Sequence, residues 1–382
     1  MTLKSINRRP VWAEVNLGAV AHNVREIRRI VKPDAKIMAI VKANGYGHGA
    51  VKISRTALNN GADYLGVAIL DEAVKLRENG IDAPILVLGF TTLDQAEEIL
   101  DYQVTATVFT WEMAQALSEK ALARGEKAKV HIKIDTGMGR IGFLPQKETM
   151  SLIKKICSLD GLQVEGIFTH FAVADEKDKA FTRHQLEKFT RLISYLEEEG
   201  IKIPLKHAAN SAAIIDLPET HFDMVRAGIL LYGLYPSSEV DHKKINLIPA
   251  LELKTKVSFV KKVGAGTSIS YGRKYFVRDE AIIASLPLGY ADGYPRKLSN
   301  QGEVLLGGKR VSVVGTICMD QFMVDASQVP DVKIGDEVVI IGRQGTECIS
   351  VEEIAERLNT INYEIICMLS ERIPRIYFDE KA

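Results

Sequence analysis

Eight short apolar runs, each followed by a helical pattern, constrain the fold of this chain more than any other feature. They lie between about residues 36 and 230 and read KIMAIVK, YLGVAIL, PILVLGF, VTATVF, KVHIKID, VEGIFTHF, LKHAAN and DMVRAG. Between them, DEAVKLRENG, WEMAQALSEKALARG and RHQLEKFTRLISYLEEEG have helical periodicity and end on glycine, as many helices do. This alternation predicts an α/β fold, a (β/α)8 TIM-type barrel, with a doubly wound open sheet as the alternative.

After residue 245 the pattern changes to strands that follow one another with only turns between them. The runs are LELKTKVSFVKKV, EAIIASLPLGY, EVLLGG, KRVSVVGTI, QFMVDAS and DEVVIIG. One late helix, VEEIAERLN, follows Ser350, and Glu353 stands at capping-box spacing from that serine. We therefore expect a barrel domain over residues 1–245 and a smaller, mostly β C-terminal domain over residues 246–382, with YPSSEVDHKKINLIP as the linker.

Bulk properties exclude several classes of protein. The 382 residues carry a formal net charge of zero, which gives no reason to expect nucleic acid or an anionic membrane as a partner. No apolar run approaches the roughly 18 residues of a membrane span, and the N-terminus does not resemble a signal peptide. The four cysteines lie far apart, without metal or redox spacing: Cys157, Cys318, Cys348 and Cys367. The sequence thus predicts a cytoplasmic protein with reduced thiols and no metal.

Polar residues end most of the predicted barrel strands, where the active site of such a barrel lies. They are Lys42, Lys133, Asp135, Arg140, His170, His207, Asn210, Ser211, Arg226 and Gly228. In KVHIKID the strand period sets His131, Lys133 and Asp135 on one face, which we expect to point into the barrel. Simpler interpretations remain, since a lone histidine is often only packed in the core and Asp135 could cap the turn that follows it.

Lys42 stands at the end of an apolar strand, in AIVKANGYGHG. The strand period points its side chain inward, and desolvation there would lower its pKa and suit it to Schiff-base chemistry. Its simpler interpretation is a lysine that reaches water where the strand ends. After the last two strands, Ser211, Gly228 and free backbone N–H groups could bind a phosphate. A phosphate site and an imine-forming lysine together indicate pyridoxal 5′-phosphate (PLP).

With those residues assembled, the chain resembles the alanine racemase family over nearly its whole length. The blocks that carry the resemblance occur in order: VKANGYGHG, KIDTGMGRIG, HAANSAA, VRAGILLYG, SYG, GYADGYPR, GTICMDQ and TINYE. The chain departs from the family at Gly45, where alanine is common. The resemblance implies a PLP barrel followed by a β domain, and a homodimeric isomerase that interconverts L- and D-alanine. Such an enzyme would supply D-alanine for cell-wall peptidoglycan.

The resemblance also implies roles for individual residues. Lys42 would carry the cofactor and act as one catalytic base, and Tyr271 would be the other. Arg226 would bind the pyridine nitrogen, and Arg140 would contact the cofactor's phenolic oxygen and the substrate. Met319 would bind the substrate carboxylate, and it and Tyr271 would come from the other subunit of a dimer with shared sites. The remaining cofactor-binding positions are Tyr46, His170, His207, Asn210, Ser211, Gly228, Ile229 and Tyr363.

One inward lysine and three rival functions remain open. Lys133 either forms an ion pair with Asp135 or, as the resemblance implies, is carbamylated and binds Arg140 through two hydrogen bonds. The rival functions are a racemase of another small amino acid such as serine, a PLP-dependent decarboxylase of the same architecture, and a non-catalytic PLP carrier. A decarboxylase predicts an acidic partner for the pyridine nitrogen, where this chain offers Arg226. A carrier would need neither the β domain nor Tyr271.

Overall fold

The computed structural model describes residues 9–379. It divides the chain into two compact units. The barrel unit comprises Ala19–Gly45 and Gly49–Pro249. Of the described residues, the β unit comprises residues 9–18, the short stretch Tyr46–His48 and residues 250–379.

The barrel unit contains one sheet of eight parallel strands in the order β8-β7-β6-β5-β4-β3-β2-β9. These strands are β2 Lys36–Ile40, β3 Tyr64–Val67, β4 Ile85–Val87, β5 Thr105–Val108, β6 Ala128–Lys133, β7 Leu162–Phe168, β8 Leu205–His207 and β9 Met224–Ala227. Each strand lies inside one of the predicted apolar runs or overlaps it. They bury almost every side chain because helices cover a parallel barrel from outside.

Two hydrogen bonds join the outermost strands of this sheet. Asp223 N–H donates to the Lys206 carbonyl at 3.1 Å, and Arg226 N–H donates to the Ala209 carbonyl at 3.0 Å. They bring β8 and β9 together, so the sheet is a nearly closed barrel and the open doubly wound alternative is wrong. The predicted (β/α)8 fold is confirmed. Closure also sets the ends of all eight strands around one rim.

Three helices match the quoted helical patterns: Leu70–Glu78, Trp111–Ala123 and Ala180–Glu198. The other helices up to residue 216 are Leu17–Ile30, Ala50–Asn59, Ala96–Asp101, Lys147–Cys157 and Ser211–Asp216. Trp111–Ala123 shows why they form: Thr110 caps it by accepting from Met113 N–H, and its buried residues recur every three or four positions. The chain leaves this helix through Gly125, whose φ of 68° is the left-handed conformation that glycine favours.

The β unit is built on one ten-stranded sheet in the order β11-β14-β17-β16-β15-β18-β10-β1-β20, with β19 paired to β18. Its strands are β1 Val11–Asn16, β10 Leu251–Lys256, β11 Phe259–Val263, β14 Ala281–Leu286, β15 Glu303–Leu306, β16 Lys309–Val314, β17 Phe322–Asp325, β18 Glu337–Gln344, β19 Glu347–Ile349 and β20 Arg375–Phe378. A separate pair joins β12 Ser268–Ile269 to β13 Tyr275–Phe276. Two helices, Val351–Leu358 and Asn362–Cys367, complete the unit.

The N-terminal strand corrects the domain assignment made from sequence. Residues 1–245 were expected to form the barrel, but β1 lies in the sheet of the β unit, antiparallel to β10 and parallel to β20. The reason is pairing: β1 is an apolar strand that cannot be added to a closed barrel but can pair with strands of the β sheet.

The helix Val351–Leu358 begins at the predicted capping serine, since Ser350 accepts from Glu353 N–H at 3.1 Å. The Glu353 carboxylate instead pairs with Arg310.

Within residues 9–379, no helix combines the length and the apolar composition that a membrane crossing requires.

Candidate active site

Lys42 lies two residues after the end of β2 and opens an unusual turn. The next four residues all have positive φ: Ala43 at 51°, Asn44 at 52°, Gly45 at 62° and Tyr46 at 49°. A left-handed conformation costs a non-glycine residue roughly 1–2 kcal/mol. Only Gly45 meets the turn without that cost, so the surroundings must hold the other three. Lys42 itself is partly buried at the barrel rim.

Glu72 holds the start of this turn, and sequence reasoning missed it. Its carboxylate accepts from Ala43 N–H at 2.5 Å and from Ala68 N–H at 2.8 Å. The first bond fixes the residue after Lys42, and the second fixes the end of the neighbouring strand. Glu72 thus ties two strand ends together next to the lysine. Its only signal in the sequence is an acidic residue in the first turn of a helix.

Arg226 is the most heavily bonded side chain at the rim. It is 4% exposed and lies on β9. Its guanidinium donates to His207 Nδ1 at 3.0 Å, His170 Nδ1 at 3.1 Å, the Thr169 carbonyl at 2.8 Å and the Ala208 carbonyl at 2.9 Å. Burial, then the charge of Arg140, lowers the pKa of Arg226 to about 9, so it stays protonated at neutral pH. His170, one of the predicted cofactor-binding positions, is therefore in direct contact with Arg226.

Beneath Arg226 lies a buried layer of rings. His207 Nε2 is 2.9 Å from His131 Nδ1, and the Phe168 ring stacks on His207 with centroids 4.6 Å apart. Lys133 Nζ lies 4.5 Å from the centroid of the Phe168 ring. All four side chains are buried, so the polar face predicted for KVHIKID does point inward. Phe168 was not predicted as a site residue because an apolar residue in a strand gives no separate signal.

Positive charge dominates the rim. The pKa of His170 is lowered well below its usual value by burial and then by nearby cations, which are Arg226, Lys133, Arg140 and Lys42. Burial, followed by the charges of Arg226 and Arg140, lowers the pKa of Lys133 well below that of a free lysine. Burial and Arg226 also lower the pKa values of His207 and His131, the latter to about 3. These histidines are therefore neutral, and the rim suits an anionic ligand.

Asp135 does not pair with Lys133. No ion pair joins them in the part of the chain that the structure describes. Asp135 instead accepts from Gly137 N–H at 2.9 Å and Gly139 N–H at 3.1 Å, so it caps the turn that follows β6. Burial raises its pKa, but these backbone N–H groups outweigh burial and lower it. Arg140, beyond the turn, is exposed.

The groups after β8 and β9 that were predicted to bind a phosphate are partly bonded to each other. Gly228 N–H was expected to be free for a phosphate, but it donates to Ser211 Oγ at 2.9 Å. Asn210 was expected at the cofactor, and its side chain accepts from Ala213 N–H at 3.1 Å, so it caps the short helix that follows. Ile229 begins a short 3-10 helix. The serine and the glycine that were predicted together do lie together.

Tyr46 and Tyr363, both predicted to bind the cofactor, lie together in the β unit. Their ring centroids are 6.1 Å apart, and burial raises the pKa of Tyr46 above its ordinary value. The stretch Tyr46–His48 is held there by the strand β20. Arg375 Nε donates to the Gly47 carbonyl at 2.9 Å, and Tyr377 donates to the His48 carbonyl at 3.1 Å.

The remaining predicted residues, Tyr271 and Met319, share a cleft on the β unit. Their exposed fractions are 71% and 53%. The cleft has a volume of about 460 Å³ and is lined by Ser270, Tyr271, Cys318, Met319, Asp320, Gln321 and Met323. Ser270 and Gly272 have positive φ on either side of the tyrosine, and Thr316 Oγ1 donates to the Tyr271 carbonyl at 2.9 Å. The backbone is thus fixed while the phenol faces outward.

The barrel rim has the donor set that PLP needs. It offers a lysine amine for an imine bond and several cations for a phosphate and a phenolate. Among the described residues, no carboxylate forms an ion pair with Arg226, so the pyridine nitrogen would face a donor. Within residues 9–379, no cluster of three or more histidine, cysteine or acidic side chains could hold a metal ion.

Comparison with known proteins defines the class to which this architecture belongs. The family model described as "Alanine racemase, N-terminal domain" matches residues 15–236, and the model described as "Alanine racemase, C-terminal domain" matches residues 250–377. The chain therefore belongs to the alanine racemase family, whose members are isomerases acting on amino acids.

Individual relatives agree. The alanine racemase of Desulforamulus reducens is 55% identical over 370 residues, which cover 97% of this chain and 99% of that protein. The solved structure of alanine racemase from Clostridium difficile is 43% identical, with a TM-score of 0.94 over 98% of this chain and 97% of its own. A histidine racemase from Leuconostoc mesenteroides is 31% identical, with a TM-score of 0.90 over 98% and 99% of the two chains.

Proposed function

We propose that this protein interconverts L-alanine and D-alanine with pyridoxal 5′-phosphate. The observation that carries the proposal is the grouping of Lys42 with Arg226, Lys133 and Arg140 around His170. Relatives at 55% and 43% identity are alanine racemases, which supports alanine as the substrate. When bound, PLP supplies an electron sink that weakens the bond between the α-carbon of an amino acid and its proton.

Two residues of the protein move the proton. The amine of Lys42 would hold the cofactor, and it would take or return a proton on one face of the substrate's α-carbon. The phenol of Tyr271 from the partner subunit does the same on the opposite face. Inversion needs one base on each face, and the two residues act in opposite directions for the two enantiomers. The 71% exposure of Tyr271 supports its availability to a partner.

The other predicted residues bind and orient. Arg226 would donate to the pyridine nitrogen and keep it unprotonated, because a guanidinium has no acceptor and holds its own proton. Arg140 would contact the phenolic oxygen and the substrate, and Met319 of the partner subunit would contact the substrate carboxylate. His170 would lie between Arg226 and the partner's Tyr271. Tyr46, Ser211, Gly228, Ile229 and Tyr363 are the positions proposed for the phosphate. His207 would hold Arg226 in place, and Asn210 would cap the helix that begins at Ser211.

We also propose that Lys133 is carbamylated. Its pKa is well below the usual value, so a neutral amine is available to attack carbon dioxide and release a proton. The resulting anion would be the counter-charge that this rim lacks, and it would bind the exposed guanidinium of Arg140 through two hydrogen bonds. Carbon-13 NMR of protein equilibrated with labelled carbon dioxide should show one carbamate signal that Lys133→Met removes. Failure to see that signal would contradict the modification.

A second candidate is a racemase of another amino acid. The histidine racemase at 31% identity supports it, because the same fold in that relative serves a bulky substrate. A decarboxylase is less well supported, because the described partners of Arg226 are two histidines and two carbonyl groups. The lower identity of the histidine racemase leaves alanine as the better supported substrate.

The test is an assay of product chirality. Purified protein loaded with PLP is given L-alanine, D-alanine, L-serine, L-lysine and L-histidine separately. We expect racemisation of alanine in both directions and much slower reaction with the others. Borohydride reduction followed by peptide mapping should place the cofactor on Lys42. Preferred turnover of another amino acid, or a label on another lysine, would overturn the proposal.

A further inference from the structure

We propose that His131 is a positioning residue for Arg226. By accepting a hydrogen bond from His207, it fixes the tautomer in which His207 can accept from Arg226. The catalytic consequence rests on the function proposed above, whereas the assignment of tautomers rests on the hydrogen bonds alone.

The direction of the chain of bonds follows from arginine chemistry. A guanidinium only donates, so His207 Nδ1, 3.0 Å from Arg226, must be an acceptor without a proton. In a neutral imidazole the other nitrogen, Nε2, then carries the proton. His207 Nε2 lies 2.9 Å from His131 Nδ1, so His207 donates and His131 accepts. His131 consequently carries its own proton on Nε2.

Burial keeps both rings neutral. His131 and His207 are 0% exposed, and burial together with the charge of Arg226 lowers both pKa values. A proton on His207 Nδ1 would set a second buried cation against Arg226 and remove the acceptor that the arginine uses. The tautomer is therefore determined from one end by Arg226 and from the other end by His131.

The ring of His131 occupies a space that Gly166 leaves open. A Cβ added to Gly166 would lie 2.6 Å from the ring atoms Cε1 and Nδ1, closer than real contacts allow. The pairing of β6 with β7 is also irregular between Val130 and His131. The imidazole of His131 thus fits beside His207 because position 166 has no side chain, and the register between β6 and β7 shifts at the same point.

The ring is also costly to bury, which favours a role beyond packing. His131 Nε2 is buried and has no hydrogen-bond partner among the described residues. A buried donor left in this state costs about 1–3 kcal/mol. Groups that lower stability in this way are typical of functional sites. The ring offsets part of that cost through Nδ1, which accepts from His207.

Loss of that acceptor would spread to Arg226. Without it, His207 could move its proton to Nδ1, where an N–H would face the N–H of the guanidinium. Arg226 would then turn away and lose its alignment with the Thr169 and Ala208 carbonyls. His131 touches neither cofactor nor substrate in this account, so its effect is on the orientation of Arg226.

Two substitutions separate the acceptor from the ring. His131→Asn retains an oxygen acceptor close to the position of Nδ1, and His131→Leu has similar bulk without one. In His131→Leu we expect kcat to fall at least about tenfold, with little change in KM. Leucine removes the unpaired Nε2 donor of His131 but leaves the Nε2–H of His207 without an acceptor, so we expect the melting temperature of His131→Leu to change little, and His131→Asn to retain most of kcat. A merely structural role would instead lower stability in both variants.

Nitrogen-15 NMR of histidine-labelled protein gives a readout that does not depend on activity. In the unmodified protein we expect His207 and His131 as neutral rings, each protonated on Nε2. In His131→Leu the His207 signal should shift toward the other tautomer or a mixture. A His207 protonated on Nδ1 in the unmodified protein would overturn the proposal even if no variant folds. An unchanged tautomer and unchanged kcat in His131→Leu would do the same, whatever the preferred amino acid.

Discussion

The two groups of candidate residues are built in opposite ways. Arg226 on the barrel rim is 4% exposed and makes four hydrogen bonds. Tyr271 in the cleft of the β unit is 71% exposed, and Met319 beside it is 53% exposed. The rim group is fixed before any ligand arrives, whereas the cleft group presents reactive and apolar surface outward. The rim is thus a preorganised site, and the cleft has the character of a surface that another molecule completes.

The largest expected effect tests whether the two groups act together across a dimer. Lys42→Ala and Tyr271→Phe should each abolish most racemisation. If each site takes Lys42 from one subunit and Tyr271 from its partner, a mixed dimer of the two variants regains one intact site. Unfolding and refolding an equal mixture should then restore about one quarter of normal activity, because half of the dimers carry one site of two.

As the control, each variant is unfolded and refolded alone, and it should stay inactive. No recovery in the mixture, with mixed dimers demonstrated by differently tagged chains, would mean that both residues act within one chain or that one of them has no role. Recovery would mean that the rim residues of one subunit and the cleft residues of its partner form one active site.

A second expected effect concerns stability. Arg226→Met should destabilise the protein by about 3 kcal/mol, because it leaves two imidazole nitrogens and two carbonyl groups without this donor. Arg140→Met, the same change at an exposed position of the same rim, and Tyr271→Phe should each stay within about 0.5 kcal/mol. Denaturant unfolding of the three variants measures the difference. Similar losses in all three would contradict the contrast in rigidity.

A third effect is a dependence of stability on pH that arises in the barrel. The folded protein keeps His131 neutral with a pKa of about 3, whereas an unfolded histidine has a pKa of about 6.5. Stability from this group is complete above the unfolded value and falls as pH drops through the window between the two. The slope is about 1.4 kcal/mol per pH unit for each such group. His131→Asn should therefore reduce the slope of the free energy of unfolding against pH by the contribution of one group between about pH 6 and 4.

The control for that experiment is His184→Asn, since the His184 side chain is 55% exposed and should leave the slope unchanged. Melting temperatures across the pH range are sufficient. An identical slope in His131→Asn would show that the ring titrates freely and is not held neutral.

Comparison with the sequence shows which features periodicity can predict. The spacing of apolar runs predicted the barrel, and strand alternation predicted that Lys133 points inward, because both depend on local patterns. The bond of Asp135 to its own turn was also foreseeable, since aspartate commonly caps such turns. The strand β1 was missed because its partners β10 and β20 lie more than 230 residues away along the chain. No local pattern reports such pairing.

The same limit applies to the candidate site. Sequence can place Arg226 at a strand end, but only the fold decides that it donates to His207 and His170. Phe168 and Glu72 escaped notice because a buried aromatic and a first-turn acidic residue are ordinary in barrels. The left-handed turn after Lys42 was missed as well, because Ala43 and Tyr46 rarely adopt this conformation, although Asn44 and Gly45 do so more readily.

The smallest expected effect asks whether the rim's preorganisation extends to Lys42. The Glu72 carboxylate accepts from Ala43 N–H and Ala68 N–H. In Glu72→Gln one oxygen is replaced by an amide N–H₂, which cannot accept, so one of those backbone groups loses its partner. We expect a loss of about 1 kcal/mol, seen as roughly fivefold weaker PLP binding by absorbance titration. Asp71→Asn, one residue earlier with the same change of charge and an exposed side chain, should bind PLP normally. If both variants bind equally weakly, the cause is the lost negative charge on the helix, and the turn needs no support from Glu72. If only Glu72→Gln is weakened, the strained turn after Lys42 is held by the helix that follows the neighbouring strand β3, and the lysine is held in place as Arg226 is on the adjacent strand β9.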